Sequence, residues 1–494
     1  MRQRSTIVIG AGVGGLATAV ELAAAGHKVT VLEGADEPGG KMRQLSVAGV
    51  GVDAGPTVFT MRWIFDGLCA AAGTTLEAEL KLHKADVLAR HAWRQGGVLD
   101  LFADTRSSEA AIQTFSGSED ARGYRDFCAR SADIYQTLRE PYIASSRPGM
   151  FELVKRVGFS RLDAMWRTAP FSSLWAALGQ HFSDPRLRQL FGRYATYVGS
   201  SPLNAPATLM LIAHVEQEGV WLVEGGMRAV AHALRDMAVT LGAEFHFSRP
   251  MHELLEEQGR VVGVTTRDGE QLRADQVVFN GDVSALGTGL HGAVGCRAVR
   301  AVKPSQRALS AITFCVVGKV KGFDLHYHNV FFAEDYPEEF AAIFGRGEIA
   351  GTPTVYVCAQ DRVAGKAPSG EERLLLLINA PADGDLLSRD ATALSHYRDK
   401  ALQLLAACGC QLTVEAGQCA TTDPAGFNAR FPGSGGSLYG RVNHGSMASF
   451  ARTGARSRLP GLYLAGGSVH PGAGVPMSAM SGRLAAAAIL EDQH

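Results

Sequence analysis

The segment from Thr6 to Glu33, TIVIGAGVGGLATAVELAAAGHKVTVLE, constrains this chain more than any other. Thr6 to Ile9 are β-friendly and long enough for a short buried parallel strand. Gly10, Gly12 and Gly15 follow at the G-x-G-x-x-G spacing, with Gly14 as an additional glycine. Leu16 to Ala25 is rich in Ala and Leu and predicts a helix that Gly26 stops. Lys28 to Leu32 predicts a second strand, ended by Glu33. In such a unit the first glycine permits a tight turn and the second lets backbone approach a pyrophosphate. The third lets the helix pack close to the strand. Phosphates then rest on the helix N-terminus, where free N–H groups and the dipole favour anions. Glu33 stands 23 positions after Gly10, where a carboxylate accepts hydrogen bonds from ribose hydroxyls and repels a 2′-phosphate. The pattern predicts a dinucleotide-binding βαβ unit. Glu21 within the apolar run argues against a secretory signal peptide.

A chain of 494 residues has room for two or more cores. With 46 % hydrophobic and 20 % charged residues it is ordinary for a globular protein, and a net charge of −1 gives no reason to expect nucleic acid. The eight cysteines never form C-x-x-C, and no His pair stands near Cys408 and Cys410 at ligand spacing, so no metal site is expected. They read as small thiols in a reducing compartment. No apolar run reaches the roughly 18–20 residues that cross a bilayer.

Two further loops follow the first unit. Gly34-Ala-Asp-Glu-Pro-Gly39-Gly40-Lys41 ends in two glycines and a cation, and Asp53-Ala-Gly55-Pro56-Thr57 is another close-approach loop. An acid after the second strand, then Gly-Gly-Lys/Arg, then Asp-x-Gly-Pro-Thr, resembles the flavin-dependent amine oxidase and phytoene desaturase superfamily. The resemblance implies that Glu33, Gly40, Lys41, Gly55 and Thr57 wrap FAD. Trp221 to Gly226 resembles that family's Trp-x-x-x-Gly-Gly segment, and Gln276-Val-Val-Phe-Asn280-Gly-Asp282 its V-V-x-N-x-D strand. Met251 is the residue expected beside adenine, and Asp282 another FAD contact.

At the C-terminus, Leu459 to Pro476 reads as strand, glycine turn and helix start, with Gly466, Gly467, His470-Pro471-Gly472 and Gly474-Val475. A helix aimed at the flavin ring stabilises negative charge on it. This segment resembles the bacterial carotenoid desaturase signature, with Val469 where Thr or Ala is usual. Within that family the chain is most similar to the hydroxycarotenoid 3,4-desaturases of purple photosynthetic bacteria. The expected fold is a Rossmann-like α/β FAD domain (1–74, 220–300, 445–494) with an inserted α+β substrate and membrane-facing domain (75–219, 301–444). Only one dinucleotide fingerprint is complete, so FAD is expected without a nicotinamide site.

The resemblance implies desaturation of an acyclic 1-hydroxycarotenoid at C-3,4, with electrons leaving to a quinone or oxygen, on the cytoplasmic side of the photosynthetic inner membrane. A phytoene desaturase, an amine or porphyrinogen oxidase, a redox-neutral isomerase and a catalytically silent FAD scaffold are the alternatives. Few catalytic side chains are required, because the proton lost beside a polyene cation is already acidic. Arg167, in Arg167-Thr-Ala-Pro170, with Glu224 and His470, are the candidates for polar work.

In the middle, 107–138 has helical periodicity, and Phe151 to Phe182 interleaves aromatic and basic residues as an amphipathic helix over the substrate or in a membrane interface. Leu309–Val317, Thr354–Cys358 and Arg373–Ile378 predict an antiparallel substrate sheet. Tyr327, Phe331, Phe332, Tyr336, Phe340 and Phe344 read either as plain core or as an apolar cavity wall.

Overall fold

Two sheets divide the chain in the computed structural model, which describes residues 3–158, 171–363 and 368–493. The first is parallel and five-stranded, in the order Leu462–Leu464, Gln276–Phe279, Ser5–Ile9, Lys28–Leu32, Glu244–His246. Ser5–Ile9 lies at its centre, with Val8 in register with Val31 on one side and Val278 on the other. Side chains alternate across its faces. Val8, Val29 and Val31 pack under helices Val13–Ala24, Met227–Thr240 and Val475–Glu491. Ile7, Ile9 and Leu32 meet Met251, Leu254, Val261 and Val264 of an antiparallel three-stranded sheet (Met251–Glu257, Arg260–Thr266, Gln271–Arg273). Burial on both faces explains why Ile7–Ile9 and Val277–Phe279 read as continuous apolar runs, whereas Lys28–Leu32 alternates.

The second sheet is eight-stranded and mostly antiparallel. Ser310–Lys321 pairs with Glu372–Ala380, which pairs with Val355–Ala359, then His328–Phe332, Val87–Trp93 and Val98–Phe102. Gln411–Thr413 and Cys419–Thr422 extend the other edge from Ser310–Lys321. Every strand of the parallel sheet falls in 1–74, 220–300 or 445–494, and every strand of the large sheet in 75–219 or 301–444. Asp53 fastens the two layers. Its carboxylate accepts from the Met227 N–H (2.8 Å) at the start of helix Met227–Thr240, while Gln360 bonds its backbone on both sides (2.9 Å each).

Several expectations change. The first helix begins at Val13, so Gly14 and Gly15 lie inside its first turn. The 107–138 segment is two helices, Thr105–Ser116 and Ser118–Leu138, broken at Gly117, whose φ of 100° closes the first. Strands Val87–Trp93 and Val98–Phe102 were not foreseen; the parallel pairing of Val87–Trp93 with His328–Phe332 is non-local and leaves no local signature. Phe151 to Phe182 is not one helix. Met150–Val157 stops at Gly158, and Leu174–Leu178 is a separate short helix after 159–170, which lie outside the described residues. Leu174, Leu178 and Phe182 are core: Phe182 stacks on Phe191 at 4.7 Å. Of the aromatic set, Phe331, Phe332 and Phe340 are fully buried core, whereas Tyr336 reaches a cavity wall.

Candidate active site

One cavity of about 1110 Å³ runs from the carboxyl ends of the parallel strands to the face of the large sheet. The C-terminal edge of such a sheet is where open α/β folds bind ligands. Of the residues expected to hold FAD, Gly10, Gly12, Gly14, Glu33, Gly40, Lys41, Gly55, Thr57, Met251, Asp282, Gly466, Gly467, Gly474 and Val475 all line it. Gly15 does not, because it faces the strand: a Cβ there would stand 2.1 Å from the Gly10 carbonyl oxygen. Gly55 is equally constrained, since a Cβ would overlap the Lys41 carbonyl.

The cradle fits a dinucleotide. Helices Val13–Ala24 and Val475–Glu491 both begin at the cavity, behind Gly12 and Gly474. Neither has a side-chain cap nor an acid in its first turn, so both present uncapped N–H groups and positive dipole ends. Glu33 accepts from the Ala11 N–H (2.6 Å) and the Ala35 N–H (2.8 Å), which ties the glycine turn to the strand end. Each carboxylate oxygen keeps a further acceptor site for a ribose hydroxyl. Lys41 donates to the Leu438 carbonyl (2.7 Å) over the Phe431 ring; burial lowers its pKa, and nearby Asp282 opposes that. Asp282 caps Val283–Gly287 by accepting from the Ser284 N–H (2.9 Å). Thr57 bonds the Tyr356 hydroxyl at 2.6 Å.

Three contributors were not singled out from sequence. Asn280 donates to the Gly10 carbonyl (3.1 Å) and roofs the glycine turn; it was visible in the V-V-x-N-x-D strand. Arg452, 2 % exposed, donates to the carbonyls of Tyr439, Arg441 and Gly467, and burial pulls its pKa down to about 10. Arg43 lines the cavity, and its pKa too falls to about 10 through burial and then Arg430. No local pattern marks either arginine.

Two of the three catalytic candidates, Glu224 and His470, lie among the described residues, and they are not brought together. Arg167 lies outside the described residues. Glu224 does not line the cavity: it is 56 % exposed and pairs with Lys81 and His83 at 3.5 Å each. Its turn faces solvent because the neighbouring strand, Trp221–Val223, pairs with surface strand Leu82–Lys84. His470 is 2 % exposed and its Nε2–H is shared between the carbonyls of Tyr142 (2.9 Å) and Ser145 (3.0 Å). Burial lowers its pKa to about 4, so it is a neutral brace for the 139–145 turn.

The far wall of the cavity is the large sheet. Thr313, Leu377 and Tyr356 lie side by side across three strands, and Leu375 and Asn379 share their strand and face with Leu377. Leu209, Ile212 and Val215 close the opposite side. Among these apolar groups sits a polar nest. The Arg193 guanidinium lies over the rings of Tyr356 (5.1 Å) and Tyr197 (5.5 Å). Glu216 accepts from the hydroxyls of Tyr194 and Tyr197 (2.8 Å each), and burial raises its pKa against those hydrogen bonds.

Comparison with known proteins agrees with this geometry. The family model for flavin containing amine oxidoreductase matches residues 13–490. The chain is 50 % identical over 492 residues to a hydroxyneurosporene desaturase of Rubrivivax gelatinosus, covering 99 % of this chain and 94 % of the relative. It is 42 % identical to that of Cereibacter sphaeroides, covering 98 % and 97 %. Among solved structures, an oxidoreductase of Methanosarcina mazei superposes with a TM-score of 0.60 at 17 % identity, over 99 % and 100 % of the two chains. Cyclohexylamine oxidase of Brevibacterium oxydans superposes at 0.56 with 15 % identity, over 100 % of both. The chain belongs to the flavin-containing amine oxidoreductase family and is an FAD-dependent oxidoreductase.

Proposed function

We propose that the protein desaturates a long acyclic 1-hydroxycarotenoid, converting the C-3,4 single bond to a double bond. Full-length similarity to the hydroxyneurosporene desaturases carries this reading. The continuous cavity supports it, because the FAD cradle opens without a partition onto an apolar wall suited to a polyene. Bound FAD supplies a two-electron acceptor. The two hydrogens leave adjacent carbons, and the electrons pass on to a quinone or oxygen. The chain's own work is to align the polyene and keep water out, which a wall of Leu209, Ile212, Val215, Leu375 and Leu377 favours. Glu224 and His470 take no part in it, and Arg167 remains a candidate for contact with the substrate.

The membrane surface belongs to the same proposal, as the reservoir of substrate, on the cytoplasmic face of the inner membrane. No helix among the described residues is long and apolar enough to cross a bilayer. Phe151 and Phe171, 72 % and 70 % exposed, flank 159–170, and Lys155 and Arg156 stand in the last turn of Met150–Val157. Exposed aromatics beside cations suit an interfacial contact.

Anaerobic incubation with 1-hydroxyneurosporene and a quinone tests the reaction. The expected product is red-shifted and two hydrogens lighter. An unchanged mass with altered double-bond geometry would mean isomerisation, and turnover of phytoene alone would remove the hydroxylated substrate.

A further inference from the structure

We infer that the polar nest around Arg193 is the recognition site for an oxygen-bearing end of the polyene, a tertiary alcohol or methyl ether, and so sets which terminus enters beside the cofactor loop. The inference rests on the desaturase reading for the identity of the chain that carries the oxygen. Arg193 is half-buried in the cavity wall and makes no ion pair among the described residues, although Glu216 and Glu339 are both buried nearby. Both carboxyls are occupied elsewhere: Glu216 accepts from two tyrosines, and Glu339 accepts from the Thr354 N–H (3.1 Å) and the Asn379 amide (2.8 Å). The guanidinium is always charged and its donors are directional. Two more polar atoms in the same wall, the Tyr336 hydroxyl and Thr354 Oγ1, are buried with no hydrogen-bond partner among the described residues.

A hydrocarbon terminus would leave both hydroxyls unsatisfied and the guanidinium with only its long bond to the Tyr197 hydroxyl (3.5 Å), a cost native interiors avoid. An ether or alcohol oxygen accepts from Arg193, and the two hydroxyls have an acceptor within the same pocket. The position of the nest gives the register. Tyr356, beneath Arg193, is bonded directly to Thr57 of the FAD-facing loop, so the anchor stands next to the cradle and not at the distant end of the cavity. A double bond formed two carbons from the oxygen-bearing carbon requires that closeness.

The test is equilibrium binding in the dark, without an electron acceptor, of two polyenes that differ only in the terminal oxygen, read by the carotenoid absorption shift. Purified FAD-loaded wild type and the variants Arg193→Met, Tyr336→Phe and Thr354→Val are compared. Wild type is expected to bind the oxygenated polyene about ten- to hundredfold more tightly than the deoxy one. Arg193→Met is expected to abolish most of that ratio, and the two hydroxyl deletions to narrow it while keeping flavin absorbance. Equal binding of both polyenes by wild type, or a ratio unmoved in all three variants, overturns the inference. Because no turnover is needed, failure of the desaturation assay with the binding preference intact would count against the reaction and not against the nest.

Discussion

At the scale of single residues, the glycines are fixed by collisions and the arginines by partners. Gly15→Ala places a methyl on the Gly10 carbonyl, so the turn must open by a shift costing at least about 1–3 kcal/mol. The expected result is purified protein with little absorbance near 450 nm, roughly where oxidised flavins absorb, even when FAD is added. Glu224→Gln is expected to do almost nothing: an exposed pair contributes about 0–1 kcal/mol, and activity should stay within twofold of wild type, measured on the same substrate. These two outcomes mark what was legible in the sequence. Glycine spacing is dictated by close approach of backbone to backbone and to phosphate, and so it shows in the sequence. Glu224 stood beside a recognisable Gly-Gly, yet the direction of its side chain is decided by a strand pairing that no local pattern reports. Arg193 meets Tyr356 and Arg452 meets Gly467, each on another segment, and only the folded chain brings them together.

At the scale of elements, buried neutral histidines make the layers sensitive to acid. The His470 pKa falls to about 4, and those of His328 and His91 to about 3, in each case through burial first. The unfolded chain holds these groups near 6.5, so it binds more protons than the native state below that value. Stability is fully present above pH 6.5 and falls as pH drops towards 4, by on the order of 3 kcal/mol for His470 alone. Chemical denaturation at a series of pH values is expected to show this slope, and His470→Gln, which keeps a donor for the Tyr142 and Ser145 carbonyls, to flatten part of it. The 150–182 region makes a second prediction at this scale. Phe151→Ser with Phe171→Ser is expected to weaken sedimentation with anionic lipid vesicles by at least about fivefold, leaving the thermal midpoint nearly unchanged, since both rings are exposed. Here periodicity misled: aromatic and basic residues alternated as one amphipathic helix would, whereas Gly158 ends the first helix and Phe182 belongs to the core.

For the whole molecule, four of the five strands of the parallel sheet were readable from sequence motifs because each adjoins its own turn chemistry, whereas edge strand Glu244–His246 carries no motif. Three of the eight strands of the large sheet were readable: Ser310–Lys321, Val355–Ala359 and Glu372–Ala380 were foreseen, but Val87–Trp93 joins them across more than two hundred residues. The same distance rules the cradle. Helix Val475–Glu491 lies against Val13–Ala24 so closely that a Cβ on Gly482 would stand 2.1 Å from the Gly14 carbonyl; Thr18 donates to the Gly482 carbonyl and Arg483 pairs with Glu21 at 2.6 Å. Removing residues 475–494 is therefore expected to yield colourless protein, checked by absorbance and by flavin released on denaturation. The βαβ unit is translated long before its partner helix. A nascent chain thus has nowhere to lodge its prosthetic group until Val475–Glu491 has emerged, and in the interval its small-residue helix face lies open to chaperones.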